Sequence, residues 1–461
     1  MIDVSESYEL YERIRNFLEI RAGVGLKAYL LEQNPVDIAE AFAELEEKEF
    51  SLCFRLLTKE LATEVFVHME SDQQKLLIDG LSDAKLKEIL EEICPDDAAD
   101  LVEEMPAGVV SRILKHTDPE TREAINAILL YPKNSVGSIM TTEYVSLRRD
   151  MTVGEAIAKI RRVGVDKETV YTCYVTEKRK LVGVISVKTL LTARDEEILE
   201  NLMITEYISV LTTDNREVAV EKIGKYGFLA IPVLDKEERI VGIVTVDDAM
   251  DVMETEASEE IAQMAAILPS EKPYLKTSAI RLWLSRIPWL LLLMISSTLT
   301  SKIISSYETA LAACAILTAF IPMIMGTGGN AGGQASVTII RGLSLDEIRL
   351  KDAFLVVWKE LRVSLLCGMT LAPFVFLKVM YLDGLYAEVD GIRIALIVSA
   401  TLLLVVIVAK LVGCLLPLLV KLVRLDPAVV ANPFITTVVD ALALVVYFAL
   451  ASQWIPALAG V

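Results

Sequence analysis

The sequence has very little histidine: His68 and His116 are the only two in 461 residues. It contains no His-Glu-x-x-His run, which excludes a membrane zinc protease of that kind. Six cysteines stand singly at 53, 94, 173, 314, 367 and 414, without a Cys-x-x-Cys pair. That spacing fits reduced thiols and excludes a zinc framework or a secreted disulfide scaffold. The stretch from Met1 to Ser7 has neither a basic nor an apolar region, so no cleaved secretory signal is expected. Positive charge is also short, with 45 Lys and Arg against 64 Asp and Glu, net −19. A nucleic-acid binder would need a basic face and is excluded.

What is present in excess is apolar surface. The hydrophobic fraction is 53 % and the mean hydropathy +0.47, an odd partner for so acidic a chain. Dividing the sequence at Ile280 resolves the conflict. Residues 281–461 hold 13 Lys and Arg and 10 Asp and Glu, net +3, which leaves 32 and 54, net −22, for residues 1–280. A single globular domain is thereby excluded. The expectation is an acidic soluble assembly followed by an all-α membrane domain, residues 280–461. Five spans of roughly 20 or more mainly apolar residues are read at 282–306, 309–336, 353–381, 392–421 and 428–457. Basic residues gather before the first (Arg281, Arg286), between the second and third (Arg341, Arg349, Lys351), and between the fourth and fifth (Lys421, Arg424). By the positive-inside bias the N-terminal part is cytoplasmic.

Residues 1–135 read as an acidic helical domain. Apolar positions recur every three or four residues, and Pro35 and Pro95 stand where helices begin. Stacked helical hairpins, a small solenoid, are expected. Residues 136–252 contain an internal repeat. The run MTTEYVSL from Met140 matches MITEYISV from Met203, and LVGVISV from Leu181 matches IVGIVTV from Ile240. Each unit predicts strand, helix, strand, turn, strand, helix, with β-branched runs about a charged turn. Residues 253–279 carry Glu254, Glu256, Glu259 and Glu260 and predict a connecting helix, with 256, 259, 260 and 263 on one face.

The second span ends in a glycine-rich run, with Gly326, Gly328, Gly329, Gly332 and Gly333 around Asn330 and Gln334. Glycine is costly inside a helix. A break at membrane depth is tolerated only against protein or a watery cavity. Close helix approach is the other reading. Neutral amides and carbonyl oxygens suit a hard cation. The fifth span holds Asn432, Pro433 and Asp440, the only charge after Asp426. A lone carboxylate there costs about 3 kcal/mol to insert, so it should meet a cation, water or another polar group. Lys302 and Lys410 could pair with it, or could snorkel to the interface. No second carboxylate is expected at that depth except the copy in a two-fold dimer.

The repeat resembles a tandem pair of cystathionine-β-synthase (CBS) domains. That resemblance implies a ribose-holding Gly-x-x-Ser/Thr-x-x-Asp run, present in the second unit as Gly242, Thr245 and Asp248. The first unit has Gly183 and Ser186 but Thr189 for Asp. ATP at the second unit and a purely structural turn are both open. Taken together, the glycine-rich run, the Asn-Pro…Asp span, the CBS pair and the acidic N-domain resemble the MgtE family of magnesium transporters.

This resemblance implies a non-enzymatic, homodimeric Mg2+ channel in the lipid bilayer of the bacterial inner membrane, closed by high internal Mg2+. It places Asp440, Asn330, Gly326, Gly328, Gly329 and Asn432 on the ion pathway. It implies metal sites at Glu64, Asp96 and Asp100, at Asp248 and Asp251, at Glu256, Glu259 and Glu260, and at Asp426 near the pore mouth. One departure is Gly227, where the family pattern has an acidic residue after the tyrosine. Transport of Mn2+ or Co2+ is the main alternative, since oxygen ligands do not choose among such ions. A CBS-regulated membrane enzyme would need a second titratable group near Asp440.

Overall fold

The computed structural model describes residues 4–269, 274–345, 347–387, 390–429 and 432–454. The chain divides into two compact units, Met1–Met253 and Glu254–Val461.

The first unit begins with ten helices: α1 (Val4–Glu19), α2 (Gly23–Leu30), α3 (Pro35–Ala43), α4 (Glu47–Phe54), α5 (Lys59–Val67), α6 (Ser71–Gly80), α7 (Asp83–Leu90), α8 (Pro95–Glu104), α9 (Ala107–His116) and α10 (Pro119–Leu129). Local chemistry sets their starts. The Asn34 side chain accepts from the Val36 N–H at 2.9 Å, with Pro35 in the first helical turn. Proline there costs nothing, because its missing N–H would have no partner in the helix. Pro95 does the same for α8. One continuous core joins these helices, built on Ile14, Leu30, Phe42, Phe54, Phe66, Ile78, Leu86 and Ile113.

Next come the two repeats. The first is β1 (Ser146–Arg148), α11 (Val153–Val163), β2 (Thr172–Glu177), β3 (Lys180–Ser186) and α12 (Val187–Thr192). The second is β4 (Val210–Leu211), α13 (Arg216–Tyr226), β5 (Ala230–Leu234), β6 (Ile240–Thr245) and α14 (Val246–Met264). The element order is the one the repeat predicts; in each sheet the first strand runs parallel to the second and the third returns antiparallel. Gly227 lies at φ +66° and closes α13 as a left-handed C-cap. A side chain at this position would be strained, since φ is positive there.

The second unit contains α15 (Ala279–Ser306), α16 (Glu308–Ala313), α17 (Ile321–Ser344), α18 (Ala353–Leu377), α19 (Gly391–Leu422) and α20 (Asn432–Trp454). Among the described residues, four helices are long and apolar enough to cross a membrane: 279–306, 350–382, 391–422 and 433–454. The expected second span, 309–336, is differently built. A short helix and a 3-10 turn, Ala315–Phe320, precede α17, whose 24 residues begin at Ile321 with Pro322 in the first turn.

The glycine-rich run is therefore an uninterrupted part of α17 and forms no turn. Its glycines admit neighbours. A Cβ on Gly328 would lie 2.8 Å from Val405 Cγ1, and one on Gly329 2.8 Å from Thr436 Cγ2. A Cβ on Gly413 of α19 would come within 2.2 Å of the Gly332 carbonyl oxygen. Small residues let helix backbones approach, which is the chief source of association where no hydrophobic drive exists. Gly413→Ala should therefore force α17 and α19 apart and lower the melting midpoint of the purified protein by several degrees or abolish folding. Gly326→Ala, with nothing within 4 Å of its Cβ, should leave that midpoint unchanged or raise it. Equal midpoints for both would disprove this packing account.

Candidate ion pathway and acidic cluster

Asp440 sits on α20, half-buried, and its Oδ1 is buried without a hydrogen-bond partner among the described residues. The turns around it are held against the glycine-rich helix. Thr436, one turn earlier, meets Gly329, while Val439 lies against Gly328 and Gly332. On α17 the exposed positions step by four: Gly326, Asn330, Gln334 and Thr338. An exposed polar stripe on a helix flanked by membrane-spanning ones needs water or another polar surface. Gly328 and Gly329 are buried in helix contacts, so of the expected pathway glycines only Gly326 is open. Asn432 begins α20, and its side chain lies outside the described residues.

Neither lysine considered as a partner for Asp440 reaches it in an ion pair. Lys302 is exposed on α15. Lys410 is buried in α19 and faces Glu360 of α18, with Nζ 3.8 Å from Oε2. Glu360, buried against Lys410 inside the third span, is a second carboxylate where none was expected at the depth of Asp440 beyond the dimer copy.

The first unit gathers carboxylates from three places. Asp96 and Asp97 start α8, Asp247 and Asp248 start α14, and Glu168 lies in the first repeat. Burial pushes the Asp96, Asp97 and Asp248 carboxyls up to about 7 each, helped by the like charges. Asp96 feels Asp97 and Glu168, Asp97 feels Asp248 and Glu168, and Asp248 feels Asp96. Asp96 Oδ1 is buried without a hydrogen-bond partner, and Cys94 Sγ donates to Glu168 Oε2 at 2.9 Å. Sequence reasoning named Asp96 and Asp248 but missed Asp97, Asp247 and Glu168. The Asp-Asp doublets were a usable signal; Glu168 had none.

The other expected metal residues are dispersed. Glu64 on α5 and Asp100 on α8 are exposed. Asp251 is exposed on α14, whose later turns carry Glu256, Glu259 and Glu260. Glu260 Oε1 accepts from Ser344 Oγ at 2.5 Å, tying that helix to the end of α17. Asp426 is exposed and its Oδ1 accepts from the Ala428 N–H at 2.9 Å, an Asx turn. Among the described residues no three His, Cys, Asp or Glu side chains converge into a metal cage. In the second repeat Thr245 Oγ1 donates to Asp248 Oδ2 at 2.5 Å, and a Cβ on Gly242 would lie 2.7 Å from the Thr141 carbonyl oxygen. The first repeat closes the matching turn with the Thr189 N–H donating to Ser186 Oγ at 3.0 Å.

The chain matches three family models. Residues 33–134 match the MgtE intracellular N domain, 136–196 and 199–255 the CBS domain, and 321–450 the divalent cation transporter domain of MgtE. It is 35 % identical over 433 residues to the magnesium transporter MgtE of Thermus thermophilus, covering 92 % of this chain and 94 % of that one. It is 31 % identical to the magnesium transporter MgtE of Bacillus subtilis, covering 93 % of each. The cytosolic domain of the Mg2+ channel MgtE in complex with ATP aligns at TM-score 0.50 and 33 % identity, over 52 % of this chain and 99 % of that structure. The soluble part of a magnesium transporter aligns at TM-score 0.51 and 28 % identity, over 55 % of this chain and all of that structure. Helical N-domain, paired CBS domains and the divalent cation transporter domain are each matched, and the chain belongs to the MgtE family of magnesium transporters.

Proposed function

We propose that this protein carries Mg2+ across a bacterial inner membrane as a homodimer with a cytoplasmic N-terminus. Its acidic cytoplasmic part closes the pathway when internal Mg2+ is high. One observation carries this reading: the Asp440 carboxylate has an unsatisfied buried oxygen beside the helix that bears the exposed stripe of Asn330 and Gln334. A second copy facing that stripe would bring two Asp440 carboxylates towards one axis. Two carboxylates attract a divalent ion, and neutral amides keep its release possible.

The dispersal of the regulatory carboxylates suits this ion. Mg2+ dehydrates reluctantly and is bound through one or two carboxylates and its own waters. It needs no cage: α8, the start of α14 and Glu168 supply one group of acids, and Asp251, Glu256, Glu259 and Glu260 follow along α14. At the second CBS unit a nucleotide would have to compete for Asp248, which Thr245 already engages. We read Gly242, Thr245 and Asp248 first as the cap of α14, with ATP as a competing ligand of that turn.

The test is flux. Purified protein in liposomes should admit Mg2+ at least about tenfold faster than Mn2+ or Co2+ at equal concentration, a discrimination of about 1.4 kcal/mol. Equal or faster entry of either competitor would transfer the proposal to that ion. No flux of any divalent ion into vesicles bearing folded protein would end it.

A further inference from the structure

The buried pair of Glu360 and Lys410 has no part in the pathway as described so far. Lys410 is 6 % exposed and is the only charge on α19 between Arg393 and Lys421. It follows Ala409, whose carbonyl oxygen would lie 3.1 Å from a Cβ on Gly332. Val439, which precedes Asp440, reaches that same point at 3.2 Å. Ala409 and Val439 also share one packed cluster with Ala331, Val406 and Ile435. Lys410 and Asp440 therefore leave their helices at one level of the bundle. A free ammonium at that level would pair with Asp440 or repel an arriving cation. The ammonium instead faces Glu360, whose side chain is 13 % exposed, with Nζ 3.8 Å from Oε2. That oxygen has no hydrogen-bond partner among the described residues. A buried pair without hydrogen bonds is poor evidence of a stabilising staple.

We propose that Glu360 is a positioning residue for cation passage: it holds the charge of Lys410, so that Asp440 keeps its own charge for the ion. The proposal rests on the reading of Asp440 as the pathway carboxylate. It differs from a structural staple in sign. Losing Glu360 leaves an extra positive charge beside the pathway, whereas losing Lys410 leaves an extra negative one. A staple would suffer alike from both losses.

The experiment measures initial Mg2+ uptake into liposomes against external Mg2+ for full-length wild type, Glu360→Gln, Lys410→Met, the double variant, Glu360→Asp and Asp440→Asn. Glu360→Gln should raise the half-saturating concentration by about tenfold or more, as an uncompensated charge at short range requires. Lys410→Met should leave it unchanged or lower it. The double variant and Glu360→Asp should return to within about twofold of wild type. Half-saturation that rises in both single variants, or that the second substitution fails to restore, would overturn the proposal. If Glu360→Gln does not fold, Lys410→Met and the double variant still decide: a raised half-saturation in either overturns it. Asp440→Asn separates the two failures. Normal uptake by that variant removes the pathway reading and this proposal together. A dead Asp440→Asn beside a normal Glu360→Gln removes this proposal alone.

Discussion

Replacing Asp440 by Ala is expected to abolish Mg2+ uptake while the protein still folds. The carboxylate has an oxygen that is buried and accepts no hydrogen bond among the described residues, so truncation orphans no donor. Its only evident service is to a positive charge. At an effective dielectric constant of about 20, two unit charges 4 Å apart attract by about 4 kcal/mol. Stripping water from the ion takes back part of this. Even about 2.8 kcal/mol remaining would amount to a 100-fold difference in ion occupancy. Asp440→Asn, which keeps the shape and drops the charge, should lose uptake to the same degree. Asp440→Glu should retain some. The measurement is Mg2+ entry into liposomes at matched protein content, with a melting curve to show that each variant is folded. Wild-type uptake by the Ala variant would remove the central claim.

How far the sequence speaks differs between the two units. The CBS pair was legible because each repeat carries its own punctuation. β-branched runs flank a charged turn in each, and in the first unit Ser186 opens the next helix as its cap. All of that chemistry is local. Pro35 and Pro95 marked helix starts for the same reason. The glycine-rich run misled because its cost is local and its compensation is not. Glycine loses about 1 kcal/mol against Ala in a helix. The packing that offsets this comes from Val405, Ala409 and Gly413 of α19 and Thr436 and Val439 of α20, about 75 to 110 residues away. In hydrocarbon an unbroken helix also keeps every backbone hydrogen bond internal. The Glu360 and Lys410 pair is similarly invisible, since neither residue announces its partner 50 positions distant. In the acidic cluster the two Asp-Asp doublets could be seen, but nothing local tied them to each other or to Glu168.

The second large effect concerns closure. Neutralising Asp248, Asp251, Glu256 and Glu259 to the amides should leave the channel open at internal Mg2+ that shuts the wild type. Taking a two-state gate from mostly open to mostly closed needs about 5.5 kcal/mol of differential binding. A weak site that prefers the closed form tenfold supplies about 1.4 kcal/mol, so roughly four such sites are required. Removing the acids along α14 should therefore collapse the response, where a single loss would only shift its midpoint. The raised carboxyls add a pH arm. Asp96, Asp97 and Asp248 titrate near 7 when folded and near 3.9 when unfolded. The folded form then holds more protons between those values, so its stability falls as pH rises from about 4 to 7 and levels above that. Protonation removes the buried, mutually repelling charge that Mg2+ would offset under the proposed function. In chelator, the soluble part of the full-length protein should resist protease better at pH 6 than at pH 8, and Mg2+ at pH 8 should restore the resistance. Patch recordings that show unchanged Mg2+ closure in the quadruple variant would sink the sensor account. Protease resistance independent of both pH and Mg2+ would show that the acidic cluster carries no part of it.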